Sequence, residues 1–128
     1  MDKTGYTFTE TEWGLLVVNE PGYVMQPAVV RVKWPAMMQK AREIGKHRIL
    51  IESHGFNHRM SMRDWLELKD ILISQAPEGL RIAFVLPGFV HTPDTELMLT
   101  IMNNYGVYNA FFDKREDAIA WLKGDDSK

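Results

Sequence analysis

A chain of 128 residues with 45% hydrophobic and 25% charged side chains has the make-up of an ordinary globular domain and the size of one. It contains no cysteine, which excludes disulfides, thiolate nucleophiles and cysteine-based zinc sites and makes a reducing cytoplasm the expected home. The formal net charge of -2 argues against a general nucleic-acid binder, no apolar run reaches membrane-spanning length, and the opening MDKTGYTFTE lacks the apolar core of a signal peptide. Basic residues gather at Arg31, Lys33, Lys40, Arg42, Lys46, His47 and Arg48, and their mixed-sign surroundings read as a solvated helix face and turn.

Tyr6, Phe8 and Glu10 alternate with threonines, which predicts a half-exposed strand. WGLLVV (13–18) predicts a second strand, and Gly14 or the Thr-Glu pair before it supplies the turn of an antiparallel hairpin. Residues 23–34 fit two readings. AVVRV is β-branched like a strand, yet Gln26-Pro27 is a sensible helix start with proline at the first helical position. Trp34-Pro35 interrupts either one, and a helix is predicted from Pro35 to Gly45.

HRILIE (47–52) predicts the third strand and SHGFNHRM (53–60) a loop. Ser61 with Asp64 three residues on resembles a capping box opening the next helix. Met62, Trp65, Leu66, Leu72 and Ile73 are its expected apolar face, opposite a polar stripe of Arg63, Glu67, Asp70 and Ser74. LRIAFVL (80–86) is a nearly continuous apolar run, as expected of a strand buried on both faces. Thr92-Pro93-Asp94 then starts a helix whose buried face is Leu97, Met98, Ile101 and Tyr105. A fifth strand follows from Val107. Asp113 with Glu116 reads as the cap of a last helix pinned by Ala118, Ile119, Trp121 and Leu122, before a polar tail at 124–128 that is expected to fray.

These elements predict one α/β domain over residues 1–128, a mixed five-stranded sheet with an antiparallel N-terminal hairpin and alternating helices. Its expected core includes Ile49, Ile51, Trp65, Leu66, Ile82, Phe84, Ile101, Phe111 and Leu122. In this order of elements the chain resembles the STAS-type fold, the domain of sulfate transporters and anti-sigma factor antagonists. More narrowly it resembles the SpoIIAA-like (STAS/SEC14) family. The residues that carry the resemblance are HRILIE, MSMRDWLEL, LRIAFVL, NNYGV and FFDKREDAIAWL, spread over roughly residues 6–123. They are packing and capping motifs, so they speak to fold before activity. In anti-sigma factor antagonists a serine at the start of the helix after the third strand is phosphorylated by a partner kinase. The matching position is Ser61. Arg59 and Met60 stand before it and no glycine follows, so the family's Asp-Ser-(Ser/Thr)-Gly context is absent and the residues themselves give a helix cap. Arg59 and Arg63 would welcome a phosphate there, and Asp64 would oppose it.

Four histidines, His47, His54, His58 and His91, raise the question of a metal. His54 and His58 are four apart, but in a loop and without the glutamate of a His-Glu-x-x-His site. The loops after two parallel strands meet at the carboxyl end of a sheet, where α/β proteins bind ligands. His54, His58 and His91, with Glu52 or Asp94, would converge there, although as solvated loop residues they form no site, and neither metal nor cofactor is expected. No Gly-x-Ser-x-Gly elbow and no glycine-rich phosphate loop is present. Met25, Met37, Met38, Met60, Met62, Met98 and Met102, with Trp34, Trp65 and Phe56, read mainly as core and secondarily as an adaptable apolar pocket. The resulting expectation is a non-enzymatic protein-interaction or regulatory module with a protein partner. The alternatives are a binder of a small hydrophobic ligand and a metal-assisted enzyme using the loop histidines. No nucleic acid and no membrane span is expected.

Overall fold

The computed structural model describes residues 5–54, 58–88 and 92–124. Strands β1 (Tyr6–Glu10), β2 (Leu15–Asn19), β3 (Arg48–Glu52), β4 (Arg81–Val85) and β5 (Tyr108–Phe112) alternate with helices α1 (Pro27–Ile44), α2 (Met62–Gln75), α3 (Pro93–Asn104) and α4 (Arg115–Leu122). The five strands lie in the order β1-β2-β3-β4-β5. β1 and β2 form the antiparallel hairpin, and every later neighbour is parallel. Thr11 closes the hairpin, accepting from the Gly14 amide at 3.0 Å and donating its hydroxyl to the Gly14 carbonyl at 2.8 Å.

The central parallel strands β3 and β4 are buried on both faces, as their apolar runs predict. Leu15, Val17, Ile49, Ile51, Ile82 and Phe84 face a core completed by α1, α2 and α3. Leu50, Ala83 and Val85 face the other way, against Ala118 and Leu122 of α4 and Trp13 of the hairpin. One helix thus covers one face and three cover the other. Among the described residues no helix is long and apolar enough to cross a membrane.

Residues 23–34 resolve in favour of the helix, with Pro27 at its first position. Pro35 does not interrupt it. A proline inside a helix removes one backbone hydrogen bond and costs about 3 kcal/mol. Here Val30, Trp34, Met37, Met38 and Ala41 form a single buried stripe running through Pro35. Full burial of each large side chain contributes about 1.5–3 kcal/mol, so the stripe outweighs the proline. Gly45 then ends the helix at φ 72°, donating to the carbonyls of Ala41 and Arg42.

Three sequence expectations need correcting. Leu66 is 46% exposed, and Met62 and Ile73 are exposed as well. The buried stripe of α2 is the narrower set Trp65, Leu68 and Leu72, because only one side of that helix meets the sheet. Tyr105 is also exposed, at the end of α3. Asp113 does not cap α4, whose N-cap is Lys114 without a side-chain bond. Its carboxylate is engaged elsewhere, accepting from the Gly88 amide at 2.6 Å and tying the turn after β4 to the end of β5. The tail expected to fray lies, after Gly124, outside the described residues.

Candidate functional site: a buried lysine at the carboxyl edge of the sheet

The carboxyl ends of β2, β3 and β4 open onto a recess roofed by the first half of α1. Met25, Trp34, Ile51, Phe84, Met98 and Phe111 supply its apolar wall, and Asn19, Tyr23, Lys33 and Ser53 supply its polar groups. The enclosed space is about 30 Å³, within a depression of about 440 Å³ counted out to its open mouth. The enclosed part alone is large enough to hold a water or a small polar head group.

Lys33 is the unusual member. It lies in the buried stripe of α1, between Val30 and Trp34, and only 2% of it is exposed. Its Nζ donates to Asn19 Oδ1 at 2.6 Å and to the Tyr23 hydroxyl at 3.0 Å. Asn19, itself buried at the end of β2, donates through Nδ2 to Ser53 Oγ at 2.6 Å. The amide oxygen, an acceptor only, faces the lysine. Among the described residues no carboxylate pairs with the amine.

Two influences act on the charge of Lys33 in opposite directions. Its Nζ sits 4.1 Å from the ring centroid of Tyr23 and 4.9 Å from that of Tyr6, and ring faces favour a cation. Each such contact contributes up to about 2 kcal/mol when desolvated. Stripping water from an ammonium without a counter-ion costs several kcal/mol, and that cost wins. Burial lowers the Lys33 pKa from 10.5 to about 7. The same burial raises the Tyr23 hydroxyl above its ordinary value, so it stays protonated. At neutral pH the recess therefore holds an amine that is substantially uncharged beside a phenol that keeps its proton.

The sequence-predicted residues lie elsewhere. Ser61 caps α2: its hydroxyl accepts from the Asp64 amide at 3.2 Å while Asp64 Oδ2 accepts from the Ser61 amide at 2.8 Å. The bond from the Ser61 backbone is the main reason that the Asp64 carboxyl is held below its ordinary range. Ser61→Ala is expected to destabilise the fold by about 1 kcal/mol in urea melts; an alanine variant as stable as the parent would contradict the cap. Arg63 is exposed on the first turn beside it. Arg59 is exposed too, and its backbone amide donates to the Met25 carbonyl at 2.7 Å.

His54 is exposed. His58 is half-buried, accepting at Nδ1 from the Met60 amide at 3.2 Å and packing edge-on to Trp65 at 5.4 Å. His91 lies outside the described residues, as does Phe56. Glu52, the carboxylate expected beside the histidines, instead forms a two-pronged ion pair with Arg115 of α4, one bond being 3.2 Å from Nε to Oε2. Among the described residues no group of three metal-ligating side chains occurs. The methionines divide: Met25 and Met98 line the recess, Met37, Met38 and Met102 fill the core, and Met62 is exposed.

At the carboxyl edge of the sheet Lys33 lines the recess, and none of the histidines among the described residues does. The reading of Lys33 as part of a solvated face is overturned by its burial. Its signal is present in the sequence: positions 30, 33, 34, 37, 38 and 41 have the spacing of one helix face, and Lys33 takes an apolar slot in it. Starting the helix at Pro35 hides that phase. No family model, no curated protein and no solved structure matches the chain.

Proposed function

We propose that the chain binds a small, mainly apolar molecule with one oxygen-bearing end, seated with that end against Lys33. The observation that supports this reading is a buried lysine, without a carboxylate partner among the described residues, at the head of an apolar recess. A methionine would fill the same slot without the cost of desolvating an amine, so packing alone gives no reason for a lysine there. The wall supplies apolar area and an adaptable thioether surface, and the amine supplies orientation. The position agrees with the general rule that open α/β sheets take ligands beyond the carboxyl ends of their strands.

The element order supports a STAS-type fold of the SpoIIAA-like (STAS/SEC14) kind, a grouping whose broader members include proteins resembling lipid carriers. A small hydrophobic ligand agrees with that resemblance. The other reading, a regulatory protein-interaction module, rests on the apolar side chains that α2 exposes, Met62, Leu66 and Ile73. The recess is the stronger ground, because, unlike the exposed face of α2, it contains a charged-type group whose burial is costly.

The test is a titration of the full chain with 1-pentanol, followed by two-dimensional amide NMR. Saturable shifts are expected to gather at Asn19, Lys33 and Ser53. Lys33→Met is expected to weaken binding about fivefold, the loss of one hydrogen bond of about 1 kcal/mol. Shifts scattered over the surface, or equal affinity in the variant, would overturn the reading.

A further inference from the structure

A neutral primary amine has two N–H bonds and one lone pair. In the recess one N–H donates to Asn19 Oδ1 at 2.6 Å, and the Tyr23 hydroxyl lies within hydrogen-bond distance at 3.0 Å. Lys33 also lines the recess, so its amine is within reach of whatever occupies it. Several other basic side chains serve visible structural ends. Arg81 donates to the Trp121 carbonyl at the end of α4, Arg31 pairs with Glu67, and Arg115 pairs with Glu52. Lys33 alone among these faces an apolar space.

We infer that Lys33 forms a reversible imine with an aldehyde or ketone bound in the recess. This rests on the reading of the recess as a ligand site, and it narrows the oxygen-bearing end of the ligand to a carbonyl group. The step needs no oxidant, reductant or cofactor. The Nζ lone pair attacks the carbonyl carbon, forming a C–N bond as the carbonyl π pair moves to oxygen. One nitrogen proton is transferred to that oxygen, giving a carbinolamine. The hydroxyl then leaves with a second proton as water, the C–O bond breaks and the C=N bond forms. Amine plus carbonyl compound gives imine plus water, and the reverse releases the ligand.

Tyr23 is placed to assist the loss of water. Its hydroxyl lies 3.0 Å from Nζ and, held protonated by its surroundings, has a proton to give to the departing oxygen. The apolar wall of Ile51, Phe84 and Phe111 limits the water that would hydrolyse the imine. Desolvated lysines with depressed pKa values are the ones that carry out this chemistry in general, since only the free amine is nucleophilic.

The test uses the full wild-type chain at pH 7 with pentanal and sodium cyanoborohydride, which traps an imine as a stable secondary amine. Modified lysines are located by peptide mass spectrometry at a series of times. Lys33 is expected to be modified at least about tenfold faster than any other lysine, given its larger uncharged fraction. Excess 1-pentanol, which lacks the carbonyl, is expected to slow it, and urea unfolding to abolish the preference. If Lys33 reacts no faster than the other lysines while 1-pentanol still shifts Asn19 and Ser53, the imine inference fails and the binding reading stands. If neither compound engages the recess, both fail. Rapid modification of Lys33 that 1-pentanol does not slow would also overturn the inference, because the reaction would then not take place in the recess.

Discussion

Replacing Lys33 by methionine is expected to make the protein more stable, by about 1–3 kcal/mol at pH 7, with a rise in Tm of about 5–10 °C. The displaced pKa of Lys33, 10.5 falling to about 7, corresponds to roughly 5 kcal/mol of unfavourable charge burial at 1.36 kcal/mol per unit. Against that gain stand two hydrogen bonds, to Asn19 and Tyr23, at about 1 kcal/mol each. Methionine fills the slot with a flexible apolar chain. Sites that sacrifice stability for an ill-suited buried group are where function is found, and this gain would mark Lys33 as such a site.

The pH dependence follows with a definite sign. Between about pH 7 and the unfolded pKa of about 10.4, the unfolded chain binds a proton at Lys33 that the folded chain does not. Stability from this group therefore rises with pH across that window and is lost as pH falls toward 7. The advantage of the methionine variant should be largest near pH 7 and below, and should shrink toward pH 10. Urea melts of both proteins at pH 6, 8 and 10 check this. A methionine variant less stable than wild type at every pH would contradict it.

The second large effect is at Gly14. A Cβ added there would lie 2.3 Å from the backbone carbonyl oxygen of Arg48 and 2.9 Å from the Arg48 Cβ. The obstructing atom is backbone, so no side-chain rotation relieves the clash. Gly14 closes the hairpin immediately before β2, and Arg48 begins β3, the strand beside it. Gly14→Ala must therefore push apart the two strands whose ends hold Asn19 and Ser53. The expected cost is about 3–5 kcal/mol, at the severe end for single substitutions. Thermal and urea unfolding of the variant measure it. A loss below about 1 kcal/mol would show that the two strands give way easily there.

Much of the fold is legible in the sequence because it depends on periodicity and punctuation. The apolar run of LRIAFVL announces a strand covered on both faces, and Ser61 with Asp64 announces the start of a helix. The failures have local causes. Leu66 and Ile73 are apolar residues on the exposed side of α2, and composition cannot tell which side of a half-apolar helix meets the sheet. Pro35 is a strong local breaker that lost to a longer buried stripe, an outcome decided by tertiary packing. That one boundary concealed the candidate site. With the helix begun at Pro35, Lys33 counts as one more basic residue in a basic neighbourhood. With the helix begun at Pro27, it stands in line with Val30, Trp34 and Met37 and must be buried. Its partners could not be read at all. Asn19, Tyr23 and Ser53 come from the end of one strand, the loop after it and the loop after another, and only the sheet order places them around one amine.

The central claim, that Lys33 is a buried amine relieved of about half its charge at neutral pH, is tested most directly by NMR titration. Lysine is labelled with carbon-13 at Cε, and the Cε resonances are followed from pH 5 to 11. The Lys33 signal is identified by its absence from Lys33→Met. A midpoint near 7 for Lys33, well below the ordinary lysine value, is the predicted result. A Lys33 resonance with its midpoint at the ordinary lysine value of about 10.4 would contradict it.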